Sequence, residues 1–140
     1  MYLVRLIYTS RVTRENYAFG PEEISSILET SKRNNQKHHI TGLLCFNRKY
    51  FLQSIEGSRH EVNKTYERIM RDSRHHDAVI LGYEEISERA FSNWNMGFIP
   101  ESSVTKELIT QFGLTDEFEP YKMSAESALG MLKALKGFIE

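Results

Sequence analysis

The sequence carries almost no net charge and contains no long apolar run. Its 18 lysine and arginine residues are balanced by 19 aspartate and glutamate residues, which gives a formal net charge of −1. This balance gives no electrostatic attraction for nucleic acid or for an anionic membrane surface. No uninterrupted apolar stretch approaches the roughly 18 residues that a membrane-spanning helix needs. The N-terminal residues lack a basic region followed by an apolar one, so we expect no signal peptide and a cytoplasmic protein.

Cysteine is almost absent. Cys45 is the only cysteine, so no intramolecular disulfide can form, and a reducing compartment is the simplest expectation. Because Cys45 lies inside an apolar, strand-like run, burial should raise the pKa of its thiol, and the sequence indicates no general base. Nucleophilic catalysis by this residue therefore has no support.

Motifs for metal ions and for common nucleotide sites are also missing. The histidines include the adjacent pairs His38-His39 and His75-His76, which point apart on a strand and do not face each other on a helix. There is no H-x-x-x-H spacing, no G-x-G-x-x-G and no P-loop. We therefore expect no metal site, and any bound nucleotide must be held in another way.

What is present is an alternation of strand-like and helix-like segments. The order β-α-β-β-α-β predicts an α+β protein with the ferredoxin-like plan, an added fifth strand and two C-terminal helices. Ser58 and Glu61 form a capping-box pattern for the second helix. The predicted strands are Tyr2–Thr9, Ile40–Phe46, Tyr50–Ile55, Ala78–Tyr83 and Trp94–Ile99; the predicted helices start at Pro21, span Arg59–Asp72 and Val104–Phe112, and run from Ser124 to about Ile139.

Gln53 is an amide in an otherwise apolar strand. Side chains alternate along a strand, so Gln53 shares a side with Phe51 and Ile55. An unpaired buried amide would cost roughly 1–3 kcal/mol, so either a neighbouring side chain or a ligand must satisfy it. A neighbour, or a position at the sheet edge, is the simpler interpretation.

The first predicted helix changes character along its buried side. Its apolar stripe begins with Ile24 and continues at helical spacing to Ser31, Asn34 and Asn35. Asparagine is common at fraying helix ends, and Tyr8 at the end of the first strand can be an ordinary core residue. Together with Gln53, however, these residues indicate a polar guest on the helix-covered side of the sheet.

Six short motifs follow one another along the chain. They are R-L-I-Y-T-S around Tyr8, R-N-N at Arg33–Asn35, I-T-G-L-L-C-F at Ile40–Phe46, F-L-Q-S-I-E-G at Phe51–Gly57, D-S-R-H-H at Asp72–His76 and W-N-M at Trp94–Met96. In these motifs the chain resembles the BLUF proteins, blue-light sensors that use FAD, from Tyr2 to Pro100. The resemblance implies a flavin-binding domain over 1–100 and a helical extension over 101–140 packed on it, as in short BLUF-only photoreceptors.

The resemblance also implies roles for individual residues. Tyr8 would donate an electron and a proton to the photoexcited flavin, and Gln53 would bridge Tyr8 and the flavin. Trp94 and Met96, predicted to share one side of the fifth strand, match its switch positions. The implied flavin-binding residues are Tyr8, Ile24, Ser31, Asn34, Asn35, Leu44, Phe51, Gln53, Arg68, Asp72, Arg74 and His75.

The implied function is a light-driven change of hydrogen bonding with no net chemical turnover. FAD would bind non-covalently, with FMN or riboflavin as alternatives. Light would leave Gln53 in a new rotamer or tautomer and bias the fifth strand and the C-terminal helices. We therefore expect a homo-oligomer or a downstream effector protein as partner, with no direct role for nucleic acid or membrane. The competing hypotheses are a flavin-dependent redox enzyme and a ferredoxin-like interaction module without a cofactor.

Ile55 replaces a leucine that is common in the family, which is a conservative departure from its pattern, and two further departures are visible. The loop Ser10–Gly20 is longer than in compact members. His39 stands where a glycine often precedes the I-T-G motif, which predicts a different backbone at the start of the hairpin. None of these departures touches the residues assigned to the photochemistry.

Overall fold

The computed structural model describes residues 2–13 and 21–138. Strands β1 to β5 span Leu3–Val12, Thr41–Phe46, Tyr50–Ser58, His75–Glu85 and Gly97–Ile99, and helices α1 to α4 span Pro21–Lys37, Arg59–Met70, Lys106–Phe112 and Ala125–Leu135. Short 3-10 turns cover Glu101–Ser103, Pro120–Lys122 and Lys136–Phe138.

The strands form one sheet in the order β4-β1-β3-β2-β5. The first four are antiparallel to their neighbours, and β5 joins β2 in parallel. The β2–β3 hairpin turns at Asn47, whose side-chain oxygen accepts hydrogen bonds from the backbone N–H groups of Lys49 and Tyr50, each at 2.8 Å. This local turn sets the register of the hairpin. The topology confirms the predicted ferredoxin-like α+β fold with its added strand.

Both faces of the sheet are buried over β1, β2 and β3, whereas the edge strand β4 is largely exposed. On β1, Val4, Leu6 and Tyr8 lie on the side covered by α1 and α2, which we call the pocket face. Ile7 lies on the opposite side, the far face, in the core that contains α4. The alternation predicted for the first strand is therefore confirmed. The α4 residues in the far-face core, all fully buried, are Ala128, Met131, Leu132 and Leu135.

Three strands extend beyond their predicted ends, and one of them is β3, which continues past Ile55 to Ser58. β1 continues past Thr9 to Val12, and β4 begins at His75 instead of Ala78. Val12 pairs with His75 across the two strands, so backbone hydrogen bonding holds these polar ends in the sheet where hydropathy gives no signal. The first three residues of the loop predicted over Ser10–Gly20 therefore belong to β1, and 14–20 lie outside the described residues.

The helices begin and end close to the predicted positions. The Ser58 hydroxyl accepts a hydrogen bond from the Glu61 backbone N–H at 3.3 Å, which confirms the predicted N-cap of α2. The helix ends at Met70, two residues earlier than predicted, because the carboxylate of Asp72 accepts from the Arg74 backbone N–H and closes a turn. The last helix ends at Leu135, four residues before the predicted end at about Ile139, because a 3-10 turn over Lys136–Phe138 replaces its last turn; Ile139 itself lies outside the described residues.

The fifth strand is shorter than predicted. It spans Gly97–Ile99, whereas the sequence predicts Trp94–Ile99. The Trp94 backbone N–H donates to the Phe91 carbonyl at 3.2 Å, so Trp94 closes a turn before the strand begins. The residues ahead of Gly97 therefore do not follow strand alternation.

His39 has the backbone conformation that glycine adopts most easily. Its φ of 55° lies in the left-handed region, and it follows the C-terminus of α1, where glycine is favoured. The Arg89 guanidinium donates to its carbonyl oxygen at 2.8 Å, which helps to hold this conformation. The histidine thus occupies a glycine-type backbone at the start of the hairpin.

Replacing His39 with glycine should stabilise the protein. His39→Gly removes the left-handed strain, which outweighs the added entropy of the unfolded chain, and we expect the free energy of unfolding to rise by about 0.5–1 kcal/mol in urea titrations. Lys37→Gly, on the exposed last turn of α1, is the control and should lower it by about 1 kcal/mol. Equal losses in both variants would contradict this account.

Candidate functional site

A cavity of about 130 Å³ lies between α1, α2 and the pocket face of the sheet. Its walls come from α1 and α2, from β1, β2 and β3, from the first residue of β4, and from the segments before β4 and β5. The residues that line it are Tyr8, Ile27, Thr30, Ser31, Asn34, Asn35, Leu44, Phe51, Gln53, Thr65, Arg68, Ile69, Asp72, Arg74, His75 and Met96.

Gln53 is buried at the base of this cavity and is hydrogen-bonded at both ends of its amide. It is the cross-strand neighbour of Tyr8, and the Tyr8 hydroxyl donates to Gln53 Oε1 at 2.5 Å. Gln53 Nε2 donates to the Met96 thioether sulfur at 3.3 Å. Both Tyr8 and Gln53 are less than 5% exposed. Neighbouring side chains therefore satisfy the amide, although a thioether is a weak acceptor.

The phenol of Tyr8 is held in its protonated form. Burial raises the pKa of Tyr8 far above its usual value of about 10, and the nearby Tyr66 and Asp72 raise it further. Tyr66 also contacts the Tyr8 ring edge-on, with 5.5 Å between the ring centroids. Tyr8 is therefore a hydrogen-bond donor at every physiological pH.

Asn35 connects α1 to the segment before β5. Its side chain is 3% exposed, and its Nδ2 donates to the Asn95 carbonyl at 2.6 Å. The Asn95 side chain in turn donates to the Ile40 carbonyl at 3.2 Å. Asn34, one residue earlier, also lines the cavity and is half-buried. The two asparagines thus place amides at the cavity wall contributed by α1.

The opposite end of the cavity is charged. The Asp72 carboxylate accepts from the Arg74 guanidinium, with Arg74 Nη2 at 2.6 Å from Oδ2. Burial alone would raise the pKa of Asp72, but the hydrogen bonds and charge of Arg74, with a contribution from His75, bring it below its ordinary value. Arg68 adds a second guanidinium, which donates to Thr65 at 3.3 Å.

His75 joins three elements at this end. Its Nε2 lies 2.7 Å from the Ile69 carbonyl at the end of α2, and its Nδ1 lies 2.7 Å from the Ser10 hydroxyl on β1. A carbonyl oxygen only accepts, so Nε2 carries a proton. The imidazole edge is packed against Phe51, with 5.9 Å between ring centroids. His75 therefore fixes the geometry of the wall that it contributes.

Two of the residues predicted for the site lie elsewhere. Ile24 packs in the pocket-face core outside the cavity lining, one turn from Ile27, which does line it. Trp94 packs against the far-face core, whereas Met96 is buried on the pocket face. The prediction that Trp94 and Met96 share a side is wrong, because the turn at Trp94 precedes the strand.

Sequence reasoning did not assign four lining residues to the site: Ile27, named above, and Thr30, Thr65 and Ile69. Thr30 lies four residues before Asn34 on α1, and Thr65 and Ile69 lie four residues apart on α2. Residues at this spacing share one helix face, which could have indicated their position. Threonine on a helix is usually exposed, however, and gave no distinct signal.

The lining fits a flavin ring. Apolar walls from Ile27, Leu44 and Phe51 suit an aromatic plate, and amides at Asn34 and Gln53 suit its hydrogen-bonding edge. The guanidinium groups at the other end suit an anionic tail. Across residues 2–13 and 21–138, no helix is long and apolar enough to cross a membrane, and no group of His, Cys, Asp and Glu side chains is arranged to hold a metal ion.

Comparison with known proteins identifies the family. The sequence profile of the BLUF proteins, described as sensors of blue light using FAD, matches residues 3–97. The chain belongs to the BLUF family. The description of the family names FAD as its cofactor. The resemblance seen in the motifs is confirmed.

Relatives and solved structures agree with this assignment. Photoactivated adenylate cyclase subunit beta of Euglena longa is 32% identical over 79% of this chain and 12% of its own length. The blue light- and temperature-regulated antirepressor BluF of Escherichia coli is 33% identical over 67% of this chain and 23% of its own. The chain thus spans less than a quarter of each of these curated relatives. The photo-activated state of BlsA superposes with a TM-score of 0.86 at 25% identity, covering 95% of this chain and 94% of that one.

The Asp72–Arg74 pair should make stability depend on pH. Because the folded-state pKa of Asp72 is depressed, its stabilisation is present above the unfolded value of about 3.9 and is lost as the pH falls through the lower folded value. We expect Asp72→Asn to lower the free energy of unfolding at pH 7, and the difference from the original protein to shrink at pH values below about 3.9. Urea titrations at both pH values measure this, and a difference that does not change with pH would contradict it.

Proposed function

We propose that this protein senses blue light with FAD bound non-covalently in the cavity, and that it signals through the hydrogen bonds of Gln53. The observation that supports this most strongly is the buried chain Tyr8–Gln53–Met96, which lies at the base of the cavity in a member of the BLUF family. Bound FAD would supply absorption of blue light and an excited state that oxidises a nearby phenol. The chain itself supplies the groups that respond.

The cavity residues divide the binding task. Ile27, Leu44 and Phe51 would contact the faces of the ring and exclude water. The amides of Gln53 and Asn34 would meet its polar edge. At the charged end, Arg68 and the pair formed by Arg74 and Asp72 would orient the ribityl-phosphate tail, while His75 keeps that wall rigid. Ser31 and Asn35 complete the α1 side.

The response follows from the chemistry of three side chains. Tyr8 holds a proton at its hydroxyl and donates it towards Gln53 Oε1. Tautomerisation would move a proton from Nε2 to Oε1 and leave both atoms in place. Rotation of the Gln53 amide would instead place Nε2 towards Tyr8 and Oε1 towards Met96. A thioether cannot donate, so the Met96 contact would be lost in that arrangement. The segment that carries Met96 therefore senses the state of Gln53 directly.

The output is proposed to be a protein interaction and not a chemical turnover. The Escherichia coli relative is named as an antirepressor and the Euglena longa relative as a cyclase, which indicates that this type of domain controls diverse effectors. We propose that the protein is cytoplasmic and that residues 1–100 form its light-sensing unit. Residues 101–140, together with β5, would present the light-dependent surface to an effector protein or to a second copy of the chain.

Absorption spectroscopy tests the proposed function. The purified protein loaded with FAD should shift its flavin bands to longer wavelength under blue light and revert in the dark. Tyr8→Phe and Gln53→Leu should each abolish the shift, because each removes the hydrogen bond between the two side chains. Tyr66→Phe is the matched control, since Tyr66 contacts the Tyr8 ring without a hydroxyl role in the proposal, and it should retain the shift. A normal photocycle in either Tyr8→Phe or Gln53→Leu would rule out the assigned roles.

A further inference from the structure

The segment from Arg89 to Met96, which we call the strap, connects the two faces of the sheet. Phe91 is fully buried in the far-face core, and Trp94 packs against the same core. Met96, at the other end of the strap, is buried on the pocket face and accepts the hydrogen bond from Gln53. A movement at the cavity can therefore reach the C-terminal helices through a single stretch of eight residues.

Glu56 anchors the strap from the far face of the sheet. Its side chain is fully buried, on β3, three residues after Gln53 and on the opposite face of the sheet. Oε1 accepts from the Phe91 backbone N–H at 3.0 Å, and Oε2 accepts from the Ala90 backbone N–H at 2.9 Å and from Arg5 Nε at 3.0 Å. One carboxylate thus binds two consecutive amides of the strap and the guanidinium that offsets its charge.

Arg89 holds the same end of the strap from its outer side. Its guanidinium donates to Thr41 Oγ1 at 2.8 Å and to the backbone carbonyls of Glu56 at 3.1 Å and His39 at 2.8 Å. The strap lacks helix or strand structure up to Met96, so its backbone needs partners outside itself. Besides Glu56 on β3 and Gly42 on β2, these partners are Lys136 Nζ, which donates to the Ala90 carbonyl at 3.3 Å, and Asn35 Nδ2, which donates to the Asn95 carbonyl at 2.6 Å.

The strand β3 connects the strap anchor, Glu56, to the amide of Gln53. Gln53 and Glu56 lie on the same strand, so the distance between the amide and the strap anchor is set by one rigid element. Between the anchor and Met96, the Trp94 carbonyl accepts from the Gly42 backbone N–H at 3.1 Å. The Asn95 carbonyl also accepts from Asn35 Nδ2 at 2.6 Å, so the position of Met96 Sδ depends jointly on these two contacts and on where the carboxylate fixes Ala90 and Phe91.

We propose that Glu56 is a positioning residue, which fixes the strap so that Met96 meets the Gln53 amide and Trp94 reports the change to the C-terminal helices. The part of this proposal that concerns light rests on the proposed function; the part that concerns the strap does not.

Trp94 is the only tryptophan of the chain, so its fluorescence reports the strap. In the FAD-loaded protein kept in the dark, Glu56→Gln should raise the acrylamide quenching of Trp94 by about twofold or more, because the amide cannot accept from all three donors. Glu84→Gln is the matched control: Glu84 also pairs with Arg5, at 3.1 Å, but is exposed and has no contact with the strap among the described hydrogen bonds. Unchanged quenching in Glu56→Gln would overturn the proposal.

The rate of dark recovery tests the link to Met96. Glu56→Gln should slow recovery by about threefold or more, since the dark arrangement loses its Met96 contact. In a Met96→Leu background, the same substitution should have little further effect, because residues that act through one contact are not additive. An equal slowing in both backgrounds would show that Glu56 acts independently of Met96 and would overturn the proposal.

A third variant protects the test against loss of folding. If Glu56→Gln does not fold with FAD, Arg89→Gln, a half-buried substitution on the same end of the strap, should raise Trp94 quenching and slow recovery in the same way. Normal values for Arg89→Gln would then overturn the proposal. Absence of any light-induced shift in the unsubstituted protein would contradict the proposed function alone, because Trp94 quenching in the dark does not depend on the photocycle.

Discussion

The hydrogen bond from Tyr8 to Gln53 is the interaction on which the rest of the structure depends. A buried amide costs roughly 1–3 kcal/mol if it is left unpaired, so each end of Gln53 needs a partner. The β1–β3 register supplies the phenol for one end, and the strap supplies Met96 for the other. Helices α1 and α2 then bury both side chains. The order of the strands, the strap and the two helices thus together give one polar side chain its hydrogen-bond partners inside an apolar core.

The asymmetry of these partners gives the site its bias. A phenol can donate or accept, whereas a thioether can only accept, so exchange of the two ends of the Gln53 amide gives two arrangements of unequal energy. The two arrangements differ in whether Met96 is hydrogen-bonded, and Met96 is part of the strap. Phe91 belongs to the far-face core that contains α4, and Trp94 packs against it, so in the proposed function a local change of hydrogen bonding would be passed to the C-terminal helices through these two side chains.

Strand alternation was sufficient to place Gln53 and Tyr8 on one buried face, and helical spacing was sufficient to place Asn34 and Asn35 near them. It failed for Trp94, because a turn held by backbone hydrogen bonds removes that residue from the strand, and hydropathy does not record such bonds. The extensions of β1 to Val12 and of β4 to His75 were not predicted for the same reason. The flavin itself followed from the motifs of the family, since no periodicity specifies a cofactor.

In the proposed mechanism, the Gln53 amide changes its hydrogen bonds in the light. Only Gln36 and Gln111 accompany it in the sequence, and both are exposed, so replacing them leaves Gln53 as the sole glutamine. Light-minus-dark infrared spectra of that variant, with carbon-13 in the glutamine side-chain carbonyl, would then report on one amide. We expect an isotope-sensitive carbonyl band that shifts under blue light and returns in the dark. A shift of the flavin bands with no isotope-sensitive change would contradict the account.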